Sequence, residues 1–538
     1  MPMCAVTNLI TDHRQPLSSF CAHIEQDRAT NKAETFKKNM AVLGFIPGVV
    51  FVLLLLALVG FLLCFGYVFY MHLKYDHIPG PPRDSFFLGH LPTLMKLSKN
   101  NIVIYDPFFE WMEKYGTVIR LNLIHKVMIF VISPDAVKEF LMSPKYTKDD
   151  FYDRIHSMFG IRFMGNGLLT DRNYDHWHKQ RRIMDPSFSK SNLMLSMRTF
   201  NDKAEDMVDK LAEKADWKCH VVMHDIMSRV TLDVIAKVAY GMELNAVHDD
   251  QTPFPQAISM AMRGMVEARN PLSMFNPYKQ AVIREVKKNV NFLRDTGKER
   301  IEQRMKAFQD GDDMPKDILT QILKAAELEG GCTMEDFIDH FVTFFIAGQE
   351  TTANQLSFAV QELARHPEIL ARVQAEVDEV IGCKIDIEYD DLGKLQYLSQ
   401  VLKETLRLYP TAPGTSRTIE QEMIIEGVKI PAGSNVMFNT YIMCRMEKYY
   451  PDPLVFNPDR FHPDAPKPAY VYFPFSLGPR TCIGQVFAQM EAKVVMAKLV
   501  QRYEFELVEG QSFKILDTGT LRPLDGVICR LRPRASNK

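Results

Sequence analysis

Nine cysteines are spread from Cys4 to Cys529, yet the chain has no CxxC pair and no dense cysteine cluster. A disulfide scaffold and a structural zinc site are thereby excluded. An excess of either charge is also missing, since 64 Lys plus Arg face 66 Asp plus Glu and leave a formal net charge of −2. A strongly basic nucleic-acid binder and a polyacidic tail protein are excluded together. No G-x-S-x-G, H-E-x-x-H or phosphate-loop motif occurs, which removes the serine-hydrolase, zincin and P-loop chemistries. The histidines are scattered; His176 and His178 do not stand at metal-site spacing with carboxylates and read as surface residues. After Arg83 there is no second linker, no repeat and no low-complexity block.

What the chain does have is apolar mass. Hydrophobic residues make up 46% and charged residues 24%, the balance of a globular chain with a large core. The 30 methionines and 35 phenylalanines point to a roomy, adaptable interior. From Asn39 to Met71 there is no Asp, Glu, Lys or Arg, and the stretch centres on FVLLLLALVGFLLCFGYVFY. A bilayer core of ~30 Å needs about 20 apolar residues as helix, whereas the apolar region of a cleaved signal peptide is about half this length. Only one such run exists, so the expectation is a single anchor and not a transporter. Ile78-Pro79-Gly80-Pro81-Pro82 predicts a stiff spacer, because three prolines and a glycine cannot continue a helix. The expected layout is a tail over 1–38, an anchor helix over 39–71, a proline-rich linker over 72–82 and one body over 83–538.

Within that body, periodicity predicts helices over Lys203–Lys214, Asn289–Lys306, Met334–Arg365, Pro367–Ile381 and Leu392–Leu408. Glu422–Met437 reads as small hairpins punctuated by Gly427, Pro431 and Gly433. The class is mainly α with small β-sheets.

Near the C-terminus stands Phe475-Ser-Leu-Gly478-Pro-Arg480-Thr-Cys482-Ile-Gly484, followed by a helical run over Gln485–Arg502. Two glycines allow a tight turn around the sulfur, Arg480 places a cation two residues away, and the helix offers its amide-rich end to a thiolate, lowering its pKa. Flat, aromatic Phe475 suits a planar cofactor. The pattern F-x-x-G-x-R-x-C-x-G resembles the haem-binding loop of the cytochrome P-450 family, which implies that fold behind a single membrane helix and makes Cys482 the iron ligand of a haem b.

Further motifs of that family follow in order. Glu404-Thr-Leu-Arg407 matches its E-x-x-R; Glu25–Arg28 and Glu362–Arg365 match the bare pattern too, but only the first precedes Phe456-Asn-Pro458-Asp-Arg460-Phe461. The resemblance implies a Glu404–Arg407–Arg460 ion network holding the cysteine loop against the core. Ala347-Gly348-Gln349-Glu350-Thr351-Thr352 sits mid-helix. Gly348 costs about 1 kcal/mol there and asks for a reason, such as close approach of a cofactor or substrate. The Thr351 hydroxyl can bond back to the Ala347 carbonyl and loosen the helix. The segment resembles the family's oxygen-activation motif, with Glu350 and Thr351 as the acid–alcohol pair that supplies protons. Trp177-His-Lys-Gln-Arg181 matches W-x-x-x-R, in which Trp177 and Arg181 meet a haem propionate, and Arg417 resembles a further propionate contact.

The resemblance implies a haem-thiolate monooxygenase that uses O2 and takes electrons from NADPH through cytochrome P-450 reductase, since the chain carries no flavin or nicotinamide module. Lys179, Arg181 and Arg182 form a basic face suited to an acidic partner. Within the family, segments such as YLSQVLKETLRLYP and APKPAYVYFPFSLG resemble sterol side-chain hydroxylases. Those imply a sterol substrate, cholesterol and its 24 position being the specific expectation. The substrate side would involve Phe151, Tyr152, Ile155, Ala347, Ala412 and Thr520, with Phe159, Phe163 and Met164 divided between pocket and core. Thr411-Ala412-Pro413 departs from those hydroxylases and alters the wall nearest the iron. Another lipophile (fatty acid, other steroid or xenobiotic) or a haem-thiolate isomerase of the same fold is the alternative, and nucleic acid is not a partner. Localisation would be the endoplasmic reticulum membrane, with a cytosolic body. Arg28, Lys32, Lys37 and Lys38 before the span outnumber Lys74 and Arg83 after it and argue for the opposite orientation; initiation at Met40 would delete that basic tail.

Overall fold

The computed structural model describes residues 17–270 and 273–535, so residues 1–16 of the expected tail lie outside the described residues. Two compact units, Met1–His72 and Leu73–Lys538, make up the chain. In the first, one helix, Leu17–Tyr75, continues past the predicted end of the anchor. Its stretch Gly48–Tyr75 contains an unburied apolar window of mean hydropathy 3.1, as a helix facing lipid requires.

The second unit is mainly helical with small sheets. Its start is tied down: Lys74 donates to the Ala432 carbonyl at 3.1 Å, and Ser434 donates to the Tyr75 hydroxyl at 3.2 Å. The prolines lie along a sheet edge, where the Arg120 amide donates to the Pro79 carbonyl at 2.8 Å. A side chain at Gly80 would come within 2.6 Å of the Arg120 carbonyl, so only glycine allows that approach.

That sheet has four strands in the order Val118–Leu123, Lys126–Val131, Ser434–Asn439 and Gly414–Ile419. Its two central strands run parallel, with Met128 opposite Asn435, while the last is antiparallel and sets Arg417 opposite Val436. The predicted hairpin is present as Met423–Ile425 and Val428–Ile430, turning through Glu426 and Gly427 in the left-handed region.

The helical core centres on Met334–Arg365, which packs along Met223–Tyr240 and against Gln485–Arg502. Both its ends agree with the sequence reading because its signals are local: a capping box between Thr333 and Asp336 at the start, and Pro367 just past the end. Two other helices are longer than expected, Met197–Ala212 and Gln280–Asp310, the second closed by Gly311 at φ 77°. The expected helix Leu392–Leu408 is broken into Tyr389–Lys394 and Gln396–Leu408 by Leu395 at ψ 69°.

The Gln396–Leu408 helix carries the ion network. Arg407 grips Glu404 through two bonds of 2.7 and 2.8 Å, with both side chains fully buried. Arg460 stands farther off, 3.5 Å from the same carboxylate. Arg407 also donates to the carbonyls of Cys444, Pro453 and Val455, and the Asn457 amide donates to Glu404. These bonds fasten residues 444–460, the segment ahead of the cysteine loop, and none of them reaches the loop itself. Glu404→Ala is expected to strand the Arg407 charge and cost about 3–5 kcal/mol, read as a lowered urea midpoint of the purified enzyme.

Candidate active site

The cysteine loop turns through Ser476 and Gly478, both at positive φ (60° and 65°). A Cβ on Gly478 would sit 2.2 Å from the Leu141 carbonyl, so the glycine lets the loop lie directly on the Pro134–Met142 helix. The Cys482 amide donates to the Phe475 carbonyl at 2.8 Å and closes the loop. Gly484, at φ −84°, needs no left-handed backbone; it caps the Gln485–Arg502 helix next to the sulfur.

The Cys482 side chain keeps accessible surface although the loop lies deep inside the unit, so it faces an internal space. Burial pushes its thiol above the usual range, and the Gly484 amide and the Arg181 charge pull it down by less. The expected net lowering at the helix terminus is therefore reversed. A coordinating metal deprotonates such a thiol outright. Cys444, by contrast, is fully buried between Thr440 and the Val471 carbonyl and is pushed up to about 11, as an inert core residue.

Three cations converge beside this space: Lys148, Arg417 and Arg480. Arg480 stacks on the buried Trp177 ring at 3.8 Å and donates to the Asp171 carbonyl at 2.9 Å. Arg417 is almost wholly buried, bonded to Thr415 and to the Ser416 carbonyl, and its Nε has no hydrogen-bond partner. Lys148, which no motif marked, donates to the Leu169 carbonyl and lies over the Tyr152 ring at 4.3 Å. Among the described residues none of the three has a carboxylate at ion-pair distance. Burial and mutual repulsion push Arg480 down to about 9 and Lys148 well below its usual range. A planar cofactor bearing two carboxylates and a metal fits this donor set: the carboxylates would answer the cations and the metal the sulfur. Arg181 stands apart from the three; it pairs with Asp185 at 2.6 Å and donates to the Thr481 carbonyl at 2.7 Å, bracing the cysteine loop.

On the 334–365 helix the Thr351 hydroxyl donates back to the Ala347 carbonyl at 2.7 Å, as its sequence context predicts. Thr231, from the 223–240 helix, donates to the Gln349 carbonyl at 3.1 Å, so two hydroxyls load two carbonyls of the same turn. Gly348 has a different reason from the one expected: a Cβ there would meet Ile235 at 2.8 Å, so the glycine serves close helix packing. Glu350 is buried and accepts from Thr520 at 3.0 Å and from Asn354 at 3.4 Å.

The expected substrate residues fall into three groups. Ala347 is half-buried, Ala412 is exposed between two buried neighbours, and Phe151 is half-buried. Tyr152 and Ile155 are buried, with the Tyr152 hydroxyl sharing a bond with Thr415, while Phe163 and Met164 belong to the core. Thr520 commits its hydroxyl to Glu350. The loop carrying Phe159 turns through positive φ at Phe159 and Gly160 and is clamped by the buried Asp339, which takes Arg162, Arg294 at 2.8 Å and the Asn166 amide at 2.7 Å.

The basic face expected for an electron donor is largely neutralised, since Arg182 pairs with Glu329 and Arg181 with Asp185. His176 is also no free surface residue; it bonds Asp171 at 2.7 Å and lies 3.5 Å from Asp336.

The cytochrome P450 family model matches residues 79–529. Among curated proteins, cytochrome P450 4d2 of Drosophila melanogaster is 29% identical over 511 residues, covering 91% of this chain and 100% of that protein. Cytochrome P450 4c21 of Blattella germanica is 30% identical over 475 residues (84% and 93%), and cytochrome P450 3A12 of Canis lupus familiaris is 26% identical over 491 residues (86% and 94%).

Cys482→Ala is expected to abolish the thiolate-type spectrum of the reduced carbon monoxide complex, whereas Cys444→Ala keeps it. Arg417→Met should raise the thermal midpoint of the haem-free protein by relieving repulsion. It should also speed haem loss to apomyoglobin by about tenfold or more, as one charge of a desolvated pair is lost.

Proposed function

From a chain that belongs to the cytochrome P450 family, and is therefore a haem-thiolate monooxygenase, we propose a membrane-anchored enzyme that hydroxylates a sterol side chain, cholesterol at carbon 24. Haem, when bound, supplies the redox chemistry and the activation of O2. The protein's share falls to its own residues. Cys482 would ligate the iron, Lys148, Arg417 and Arg480 would neutralise the propionates, and Trp177 and Phe475 would give flat apolar support. Glu350 and Thr351 hold exchangeable protons within one helical turn. Phe151, Tyr152 and Ile155, with Ala347 and Ala412, offer an apolar wall that excludes water.

The observation that carries the sterol reading is the likeness of YDHIPGPP, FLGHLP, WHKQRR, LTQILKAAE, YLSQVLKETLRLYP, APKPAYVYFPFSLG and AQMEAKVVMAKLVQRYEF to cholesterol 24-hydroxylase, spread from Tyr75 to Pro533. A rigid, nearly all-carbon ligand is held by burial at ~25 cal/mol per Å², and pocket depth then selects the carbon. The change at Thr411–Pro413 favours a second reading, monooxygenation of another lipophile such as a fatty acid, another steroid or a xenobiotic. An isomerase of this fold would have no use for Glu350 and Thr351. Electrons would come from NADPH through cytochrome P-450 reductase. The exposed Gly48–Tyr75 stretch supports a single-pass anchor, which we assign to the endoplasmic reticulum with the body in the cytosol.

Reconstitution with reductase, NADPH and, separately, cholesterol, a fatty acid and a xenobiotic tests the assignment. A sterol binding shift with a side-chain-hydroxylated product is expected; fatty-acid turnover without sterol binding or product would overturn it.

A further inference from the structure

We infer that Thr520 and Asn354 are positioning residues that hold the Glu350 carboxylate, and that His224 sets the orientation in which Asn354 does so. The inference deepens the proton-holding role proposed for Glu350 and does not depend on which lipophile is oxidised.

Four side chains from three separate elements form one directed chain. His224, at the start of the 223–240 helix, shares a 2.9 Å hydrogen bond between its Nε2 and Oδ1 of Asn354. Asn354 is wholly buried one turn after Glu350, and its Nδ2 donates to Thr520 at 3.1 Å and to Glu350 Oε1 at 3.4 Å. Thr520 then donates its own hydroxyl proton to the same Glu350 oxygen at 3.0 Å. An amide has one acceptor end and one donor end. With its oxygen occupied by the imidazole N–H, Asn354 must turn its NH2 group toward Thr520 and Glu350. Thr520, accepting from Asn354, has its proton free for the carboxylate. Every bond points the same way, toward a fixed Glu350 carboxyl group.

The hairpin that presents Thr520 is itself anchored. The Leu521 amide donates to the Thr411 carbonyl at 3.0 Å, and Thr518 bonds the Thr520 carbonyl through both its amide and its hydroxyl. The wall segment 411–413 thus bears on where the Glu350 carboxylate stands. His224 is half-buried, and burial lowers its pKa first. The charged groups that face it are Arg522 on the hairpin, which lowers it further, Glu350 on the 334–365 helix and Asp225 beside it, both of which raise it. Imidazole and carboxylate are therefore coupled although they do not touch.

The test uses the reductase-reconstituted holoenzyme with cholesterol, or with whichever of the three lipophiles it turns over, and compares Thr520→Val, Thr520→Ser and Glu350→Gln. Thr520→Val should lower product formed per NADPH by about tenfold, the loss of one hydrogen bond to a charged acceptor, with peroxide rising in proportion. Its substrate spectral Kd should stay within about twofold, since the lost bond goes to Glu350, and Thr520→Ser should restore the ratio. A Thr520→Val enzyme with weakened substrate binding and an unchanged ratio would overturn the inference and make Thr520 a plain substrate contact. An unchanged ratio in Glu350→Gln would overturn the role of Glu350 itself, and the inference with it. A second measurement reads the chain without turnover. In the diamagnetic reduced carbon monoxide complex, labelled-histidine NMR should show the His224 pKa falling in Glu350→Gln and in Asn354→Leu. An unmoved His224 in both variants would show that the chain does not couple the two groups.

Discussion

Three desolvated cations, none with a carboxylate at ion-pair distance among the described residues, govern this protein. Lys148, Arg417 and Arg480 come from three separate stretches of chain, and folding gathers them where Asp149 and Asp171 act only from beyond ion-pair distance. Charges taken out of water in this way are strongly unfavourable unless paired. The fold partly satisfies them with backbone carbonyls and with the Trp177 and Tyr152 rings, but the Arg417 Nε remains without a partner. A dicarboxylate prosthetic group would complete the electrostatics, and the fold and such a cofactor would in that sense be parts of one charge balance.

The sulfur follows the same logic. A helix terminus and a nearby guanidinium each favour a thiolate, typically by well under 2 kcal/mol at partly exposed sites. Burial opposes them and wins, so the Cys482 thiol is pushed above its usual range. The protein shapes the loop, through Gly478 on the Leu141 carbonyl and Arg181 on the Thr481 carbonyl; an iron held there would favour the thiolate. Arg407 and Glu404 work elsewhere, on residues 444–460. Loop and network are separate supports, and damage to one need not propagate to the other.

How much of this was legible depended on whether the signal was local. The Met334–Arg365 helix could be read to its ends because Thr333, Asp336 and Pro367 punctuate it, and the Cys482 motif because its glycines and arginine are contiguous. The early start of Met197–Ala212 was missed although Ser196 stands at its N-cap, where it makes no side-chain capping bond. Gly348 was legible as an anomaly but not as a cause, since Ile235 lies more than a hundred residues away in the chain. Lys148 sits in a stretch with no motif, and only the sheet and the cysteine loop bring Arg417 and Arg480 to it. The Thr520 hydroxyl was assigned to the cavity border on position alone; its partners on the 334–365 helix become visible only when the C-terminal hairpin folds back.

The Asp339 clamp bears on the order of assembly. One carboxylate joins the loop of Phe159 and Arg162 to two helices, and its bond to Arg162 closes a circuit of 177 residues. Closing so large a loop is slow compared with forming any of the helices it joins. Arg162 reaches both Asp339 and Glu335 on the 334–365 helix, and Arg294 joins the same two carboxylates from the 280–310 helix. The complete clamp therefore exists only once the 280–310 and 334–365 helices have come together around the loop.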